Sequence, residues 1–201
     1  MHMLICLAVL ASGNWELANE TDGIKIFTRA KDGSSVREVK AMGEIDAPAN
    51  RVFKVIGDYD HYTEFMPYMR ESKVIAREGK TTFIYGYVAP PVVSNRDYTL
   101  KMVDESIGGD SPMYKVSWTP ANDKGPPPRG GTVRLTINTG SWPLEPTEDG
   151  KTYATYYLYT DPGGSIPTFL VNKANRDSLP DLVKAVRKRV KDKRYDVVGL
   201  R

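Results

Sequence analysis

The chain is poor in the residues from which most catalytic and metal sites are built. Its 201 residues contain one cysteine, Cys6, and two histidines, His2 and His61. A single cysteine excludes a disulfide framework and a cysteine-built zinc site. Two histidines, one of them at the extreme N-terminus, leave almost no material for a histidine-dependent triad or an imidazole-rich metal centre. His61 lies in DYDHYTEF, where Asp58 and Glu64 stand three residues to either side and share its helical face. That pattern fits a weak cation site or, more plainly, a solvated helix surface. No catalytic residue, metal ligand or cofactor is assigned. Also missing are any apolar run long enough to span a bilayer, any internal repeat and any long low-complexity linker, which together favour one domain.

Charge is present but uneven. The formal net charge is +3, yet Lys184 to Arg194 alone holds seven Lys/Arg residues against one Asp, so the rest of the chain is mildly acidic. This is not a nucleic-acid-binding composition. The basic stretch suits transient contact with an anionic membrane surface or, more plainly, a solvated helix face. At the other end, MHMLICLAVLASGNW carries an apolar run from Met3 to Ala11 followed by small residues. Residues 1–13 read as a secretory signal, which would leave a periplasmic or secreted domain of residues 14–201, taken as a monomer. The run is short and no Lys or Arg precedes it, so the alternative is a retained N-terminal element of a cytoplasmic protein.

Periodicity gives the organisation. GIKIFTRA (23–30) and SSVREVKAMGEIDA (34–47) predict two strands around the turn KDGS. Val52, Phe53, Val55 and Ile56 then form a helical stripe that opens near Pro48, and a second short helix covers about 59–65. RESKVIARE and KTTFIYGYVA predict a hairpin around Glu78-Gly79. Four further strands follow at 96–106, 113–121, 131–146 and 151–161, separated by turn-rich segments. From Ser165 to Arg194 apolar residues recur at three and four, which predicts one long C-terminal helix with Pro180 as a kink or a turn. An antiparallel sheet with one apolar face needs a cover, and only this last helix is long enough to supply it.

The strands alternate large aromatics: Phe83, Tyr85 and Tyr87; Tyr98; Tyr114 and Trp118; Tyr153, Tyr157 and Tyr159, with Tyr156 on the other side. Tyr and Trp join an apolar body to one polar tip, so they suit either a solid core or a cavity that orients the polar end of an apolar ligand. In VVSNRDYTLKM, Tyr98, Leu100 and Met102 share a face, and by the period of two Arg96 lies on that same apolar face.

SNRDYTLKM together with DPGGSIPTFLVNKANRDSLPDLVKAVRKRV resembles the START (steroidogenic acute regulatory protein-related lipid transfer) family of the Bet v 1-like superfamily. The Arg-Asp-Tyr triplet is similar to that family's Arg-Asp-aromatic signature. GTVRLTINTGSWPL with YLYTDPGGSIP, and IDAPANRVFKVIGDYDHYTEFMP, resemble further segments of it in the right order. The resemblance implies an α+β helix-grip fold, a curved antiparallel sheet wrapped around a long C-terminal helix with an internal cavity. It also implies binding, with transport as a further expectation, of a lipid or other hydrophobic small molecule by a protein that is not an enzyme. A polyketide cyclase/aromatase-like enzyme using the same cavity is the first alternative, and a non-catalytic protein-interaction module the second.

The residues expected to line the cavity are Phe83, Tyr85 and Tyr87; Arg96, Tyr98, Leu100 and Met102; Tyr114 and Trp118; Ile137 and Tyr156; and Phe169 and Leu170 from the last helix. In family members the Arg of the triplet pairs with an acid on the preceding strand, and the position expected to be acidic here is Tyr87. Arg96 is then left to bond tyrosine hydroxyls and Asp97, to reach solvent, to meet an acidic headgroup, or to be tied to backbone carbonyls. Gly163-Gly164 read as a lid hinge or as plain turn chemistry.

Overall fold

The computed structural model describes residues 14–91, 93–109 and 112–196. The signal-like run 1–13 lies outside them. Ten strands form one sheet in the order β1-β2-β3-β10-β9-β7-β6-β5-β4, with β8 beside β6. In chain order they are β1 (Glu16–Thr21), β2 (Ile24–Lys31), β3 (Ser34–Ile45), β4 (Met69–Glu78), β5 (Thr81–Val88), β6 (Arg96–Asp104), β7 (Tyr114–Pro120), β8 (Val133–Arg134), β9 (Ile137–Pro146) and β10 (Thr152–Asp161). Helix α1 (Ala49–Ile56) and a 3-10 segment (Tyr59–Glu64) join β3 to β4, and α2 (Thr168–Asp177) and α3 (Leu179–Arg189) follow β10.

Three elements differ from the sequence expectation. The strand β1 carries no apolar alternation, its residues being almost all exposed. What creates it is the turn Asp22-Gly23, with φ values of 51° and 67°, the left-handed pair that closes a two-residue hairpin. The predicted strand over 131–146 breaks in two. Its first part, β8, runs parallel to the start of β6, where β7 does not reach, and the chain then turns away into β9. The single C-terminal helix is two helices meeting at Ser178, with Pro180 in the first turn of α3, where its missing N–H leaves no hydrogen bond unmade.

The core sits where α1 and α3 press on one face of the sheet. Ile24 and Ile26 of β2, Val39, Ala41 and Ile45 of β3, and Leu144 of β9 meet Val52, Val55 and Ile56 of α1 and Leu179, Val183 and Val186 of α3. All are buried. Burying a side chain of this size contributes roughly 1.5–3 kcal/mol, so this end of the molecule is its stable part. Helix α2 is different: only Val171 is buried. It is held by side-chain amides instead. Asn172 accepts from the Arg37 N–H at 2.9 Å and donates to the Ser35 carbonyl, while Asn175 donates to the Thr160 carbonyl.

The excursion between β7 and β9 folds back over the opposite, outer face. Asp97 fastens it. This carboxylate is fully buried and accepts two hydrogen bonds of 2.8 Å from Arg134, plus one from the Tyr85 hydroxyl at 3.2 Å. Burial works to raise the Asp97 pKa, but the hydrogen bonds and charge of Arg134, with Tyr85, hold it below the usual carboxylate value. Asn122 adds a bond to the Thr99 N–H, and Arg129 pairs with Glu71.

Removing one partner of such a pair strands a buried charge, which costs several kcal/mol. Asp97→Asn is expected to lose about 3 kcal/mol at pH 7, read from urea midpoints. A midpoint equal to wild type would show that Asp97 fastens nothing. Because the folded pKa is depressed, the contribution is complete above the ordinary carboxylate range of about 4 and fades as pH falls through the lowered folded value. The wild-type and variant midpoints should therefore converge in acid.

Candidate functional site

The register sorts the expected lining residues onto two faces. Arg96, Tyr98, Leu100 and Met102 of β6 stand opposite Val88, Gly86, Ile84 and Thr82 of β5. Ile84, Leu100 and Met102 belong to the core beneath the helices, so this is the inner face. Tyr114 and Trp118 of β7 and Tyr156 of β10 share it, packed on or within the same core. Seven of the thirteen expected residues are thus brought together.

The other six are not. Phe83, Tyr85 and Tyr87 alternate with Ile84 and Gly86 and so point to the outer face, where Phe83 stands across from Lys101, Tyr85 from Thr99 and Tyr87 from Asp97. There Tyr85 donates to Asp97, and Tyr87 accepts from Asn95 and carries the Arg129 guanidinium 4.4 Å above its ring. Aromatic content alone could not separate the faces, since both strands' aromatics are buried or half-buried. Ile137 alternates with Asn138, whose side chain accepts from the inner-face Trp118, and so falls on the outer side too. Phe169 and Leu170 turn to solvent on α2, at 70% and 43% exposure.

Glycines shape the inner face. A Cβ on Gly86 would lie 2.5 Å from the Tyr98 ring, and one on Gly140 would lie 2.2 Å from the Trp118 ring. The two rings therefore lie flat across neighbouring strands. Trp118 stacks on Tyr156 at 5.4 Å, and Trp142 packs against Tyr156 in a tilted arrangement at 4.7 Å. Beside them the β9–β10 pairing skips Trp142 and Pro143, as it must where proline has no N–H to give. Trp118 donates to Asn138 at 3.1 Å.

The tyrosine tips are left over. Burial alone pushes the Tyr98 phenol up, and burial with the nearby Tyr98 pushes Tyr156 up, with no hydrogen bond contributing in either case. Yet both side chains keep part of their surface accessible. Tyr62, from the 3-10 segment, has its phenol raised by burial and then by Tyr59, Tyr98 and Tyr156, but its hydroxyl is spent on the Ile56 carbonyl.

Arg96 ends the row. It is 3% exposed, and its Nε donates to the Pro162 carbonyl at 3.3 Å while Nη1 donates to the Ser94 carbonyl. Burial pushes this guanidinium below its ordinary value. Among the described residues it has no carboxylate partner. Asp97 cannot serve because it is the next residue on the strand and faces the other way. Tyr87 is not its cross-strand neighbour either; that position is Val88.

Sequence reasoning missed Trp142, Asn138 and Tyr62. Trp142 and Asn138 could have been found from the alternation Asn138, Gly140, Trp142, Leu144. The carbonyls of Ser94 and Pro162 leave no side-chain signal. The basic stretch is placed at the far end of the molecule. Lys184 pairs with Asp22, Arg187 donates to the Glu44 and Asp22 carbonyls, and Arg189 and Arg194 both reach Glu64. Asp22 and Glu44 lie at the start of β2 and the end of β3, whereas Pro162 follows the end of β10, which pairs with β3 in the opposite direction. His61 bonds Asp58 at 2.7 Å, and Asp58 also accepts from Tyr195 at 2.6 Å, which ties the 3-10 segment to the end of α3. Two surface clefts, of about 500 Å³ beside Arg187 and 350 Å³ beside Tyr85 and Pro126, lie away from the inner face.

A curved sheet closed over its own C-terminal helices, aromatic within, is a helix-grip domain. Over residues 45–187 the chain matches the polyketide cyclase/dehydrase and lipid transport family, and it belongs to that family as a START domain of the Bet v 1-like superfamily. Human phosphatidylcholine transfer protein is 26% identical over 181 residues, covering 87% of this chain and 83% of that protein. An uncharacterized protein of Pseudomonas aeruginosa is 26% identical over 175 residues, covering 87% and 85%. The crystal structure of a STAR-related lipid transfer protein from Xanthomonas axonopodis superposes with a TM-score of 0.80 at 27% identity, covering 89% of this chain and 99% of that one.

Gly86→Ala should drive the Tyr98 ring out of its place. The expected loss is about 1–3 kcal/mol in thermal or urea unfolding, as for other overpacked cores. Gly86→Ala combined with Tyr98→Ala should recover part of it, because the collision is then gone. Additive losses in the double variant would show that the two residues do not contend for space.

Proposed function

We propose that the protein binds and carries, as a monomer, one apolar molecule with a single polar end, held between the inner face of the sheet and the helices. The observation that carries this reading is the pair Tyr98 and Tyr156. Both lie deep enough for burial to dominate their chemistry, both retain accessible surface, and neither hydroxyl has a hydrogen-bond partner among the described residues. A solid core would satisfy such groups or exclude them, because an unpaired buried hydroxyl costs about 1–3 kcal/mol. A ligand lying against them would supply the missing partner. The names of the relatives, phosphatidylcholine transfer protein and STAR-related lipid transfer protein, point to the same class of cargo.

The cyclase reading finds less support. General acid–base catalysis works best with a group titrating near the operating pH. The inner-face tyrosines are pushed away from neutrality, His61 is on the surface, and the buried acids Asp97 and Glu38 are engaged on the outer face. As for membranes, four of the seven basic residues of Lys184–Arg194 are bonded within the chain, so contact during exchange belongs instead to the Phe169-Leu170 end of α2.

Native mass spectrometry of the purified protein tests the reading. An apolar molecule retained in the spectrum, or taken up from liposomes, is expected. No co-purifying molecule together with no uptake from liposomes would overturn it. Arg96→Leu should weaken an anionic ligand about tenfold more than a neutral one of the same chain length, the loss of one charge-assisted hydrogen bond. Equal weakening would remove Arg96 from headgroup recognition.

A further inference from the structure

Arg96 touches two loops at once. Ser94 belongs to the β5–β6 connection, and Pro162 opens the β10–α2 connection. These are separated by 68 positions in the chain, and a single guanidinium spans them through two carbonyls. The second loop continues through Gly163 and Gly164, both left-handed at φ 62° and 75°, into α2, which buries little and is held by two asparagines. Beside Ser94, Val93 is exposed, as are Phe169 and Leu170 on α2. Arg96 thus bonds a rim whose other ties are few, while its row on β6 leads inward to Tyr98 two residues on, about 7 Å along the strand.

A guanidinium has five N–H donors, and the two loops engage donors on only two of its nitrogens. A carbonyl neutralises no charge. A carboxylate or phosphate does, and its bonds to guanidinium are shorter and about twice as strong as those of a neutral acceptor. Among the described residues no acid reaches Arg96, although Asp97 is adjacent in sequence, because the alternation of the strand turns it outward.

We propose that Arg96 is a latch operated by the cargo: with no anion present it ties the β5–β6 loop to the β10–α2 loop, and the anionic end of an apolar ligand takes the guanidinium and unties them. The inference rests on the carrier reading above. It adds a selection rule. A neutral apolar molecule can occupy the space but leaves the latch closed, whereas an anionic one loosens the rim through which it would later be released.

Hydrogen–deuterium exchange on the full chain at pH 8 tests this, with native mass spectrometry reporting occupancy in each sample. The probes are oleate, dioleoyl phosphatidic acid, neutral diolein and inorganic phosphate. Oleate and phosphatidic acid should each raise exchange at 93–95 and 163–168 by about tenfold, the factor that corresponds to one charge-assisted bond exchanged for another. Diolein and inorganic phosphate should not; a response to phosphate alone would show that the anion acts without cargo and would overturn the proposal. Binding of only one of the two anionic lipids, with the response, would identify the headgroup as carboxylate or phosphate and would support it. Arg96→Gln should exchange fast at both loops with no ligand and show no further change. Arg96→Lys, which keeps the charge but cannot span both carbonyls, should loosen the loops and retain the preference for anions. Bound oleate with unchanged loops, or equal loosening by diolein, overturns the latch alone. No occupancy by any lipid overturns the carrier reading instead.

Discussion

The structure turns on a constraint of the β-strand itself: consecutive side chains must point to opposite faces. Arg96 and Asp97 are adjacent and oppositely charged, and they cannot neutralise one another. Each must find another partner on its own side of the sheet. Asp97 finds Arg134, and in doing so pins the excursion between β7 and β9 against the outer face. Among the described residues Arg96 finds only carbonyls, those of Ser94 and Pro162. One dipeptide thereby sets up a permanently closed outer face and a conditionally closed inner one.

The helices divide in the same manner. Helix α3 buries Leu179, Pro180, Val183 and Val186 against α1 and the sheet, and Arg51 donates to the Val190 and Asp192 carbonyls just beyond its end. Helix α2 buries Val171 alone and hangs on amide side chains. Local opening follows the amount of apolar surface that must be exposed, so α2 can part from the sheet at far lower cost than α3. The Pro180 that starts α3 makes the two helices separable without straining either. Stability is concentrated at the α1–α3 end, and mobility is available at the Arg96 end.

Much of this was legible in the sequence. The order of the helices and of the strands other than β1 and β8, and the face of Arg96, followed from periodicity. What failed did so for identifiable reasons. The strand β1 has no apolar pattern and exists because Asp22-Gly23 forms a turn, a signal that was present and unread. Phe83, Tyr85 and Tyr87 look like lining because they are aromatic and alternate, but alternation alone does not say which set faces the helices. That depends on Gly86 opposite Tyr98, a pairing visible only in the register. Backbone carbonyls were one of the partners open to Arg96, but which carbonyls could not be read, because they are identical at every residue and carry no trace in sequence.

The contrast between the two faces argues for the carrier more strongly than either face does alone. On the outer side Glu38 accepts from Arg29, Lys31 and Tyr157, and Asp97 accepts from Arg134 and Tyr85. The chain is therefore able to satisfy buried charged groups on that side, although Thr99 Oγ1 there is buried without a partner among the described residues. On the inner side Tyr98, Tyr156 and the remaining donors of Arg96 are left open within a few residues of one another. Leaving such groups unpaired in an apolar setting opposes folding, and substitution to Phe or Leu would relieve it without loss of volume. Their presence makes sense when another molecule supplies the missing acceptors, and the spacing from Arg96 inward to the aromatic rings suits one that is charged at one end and apolar along the rest.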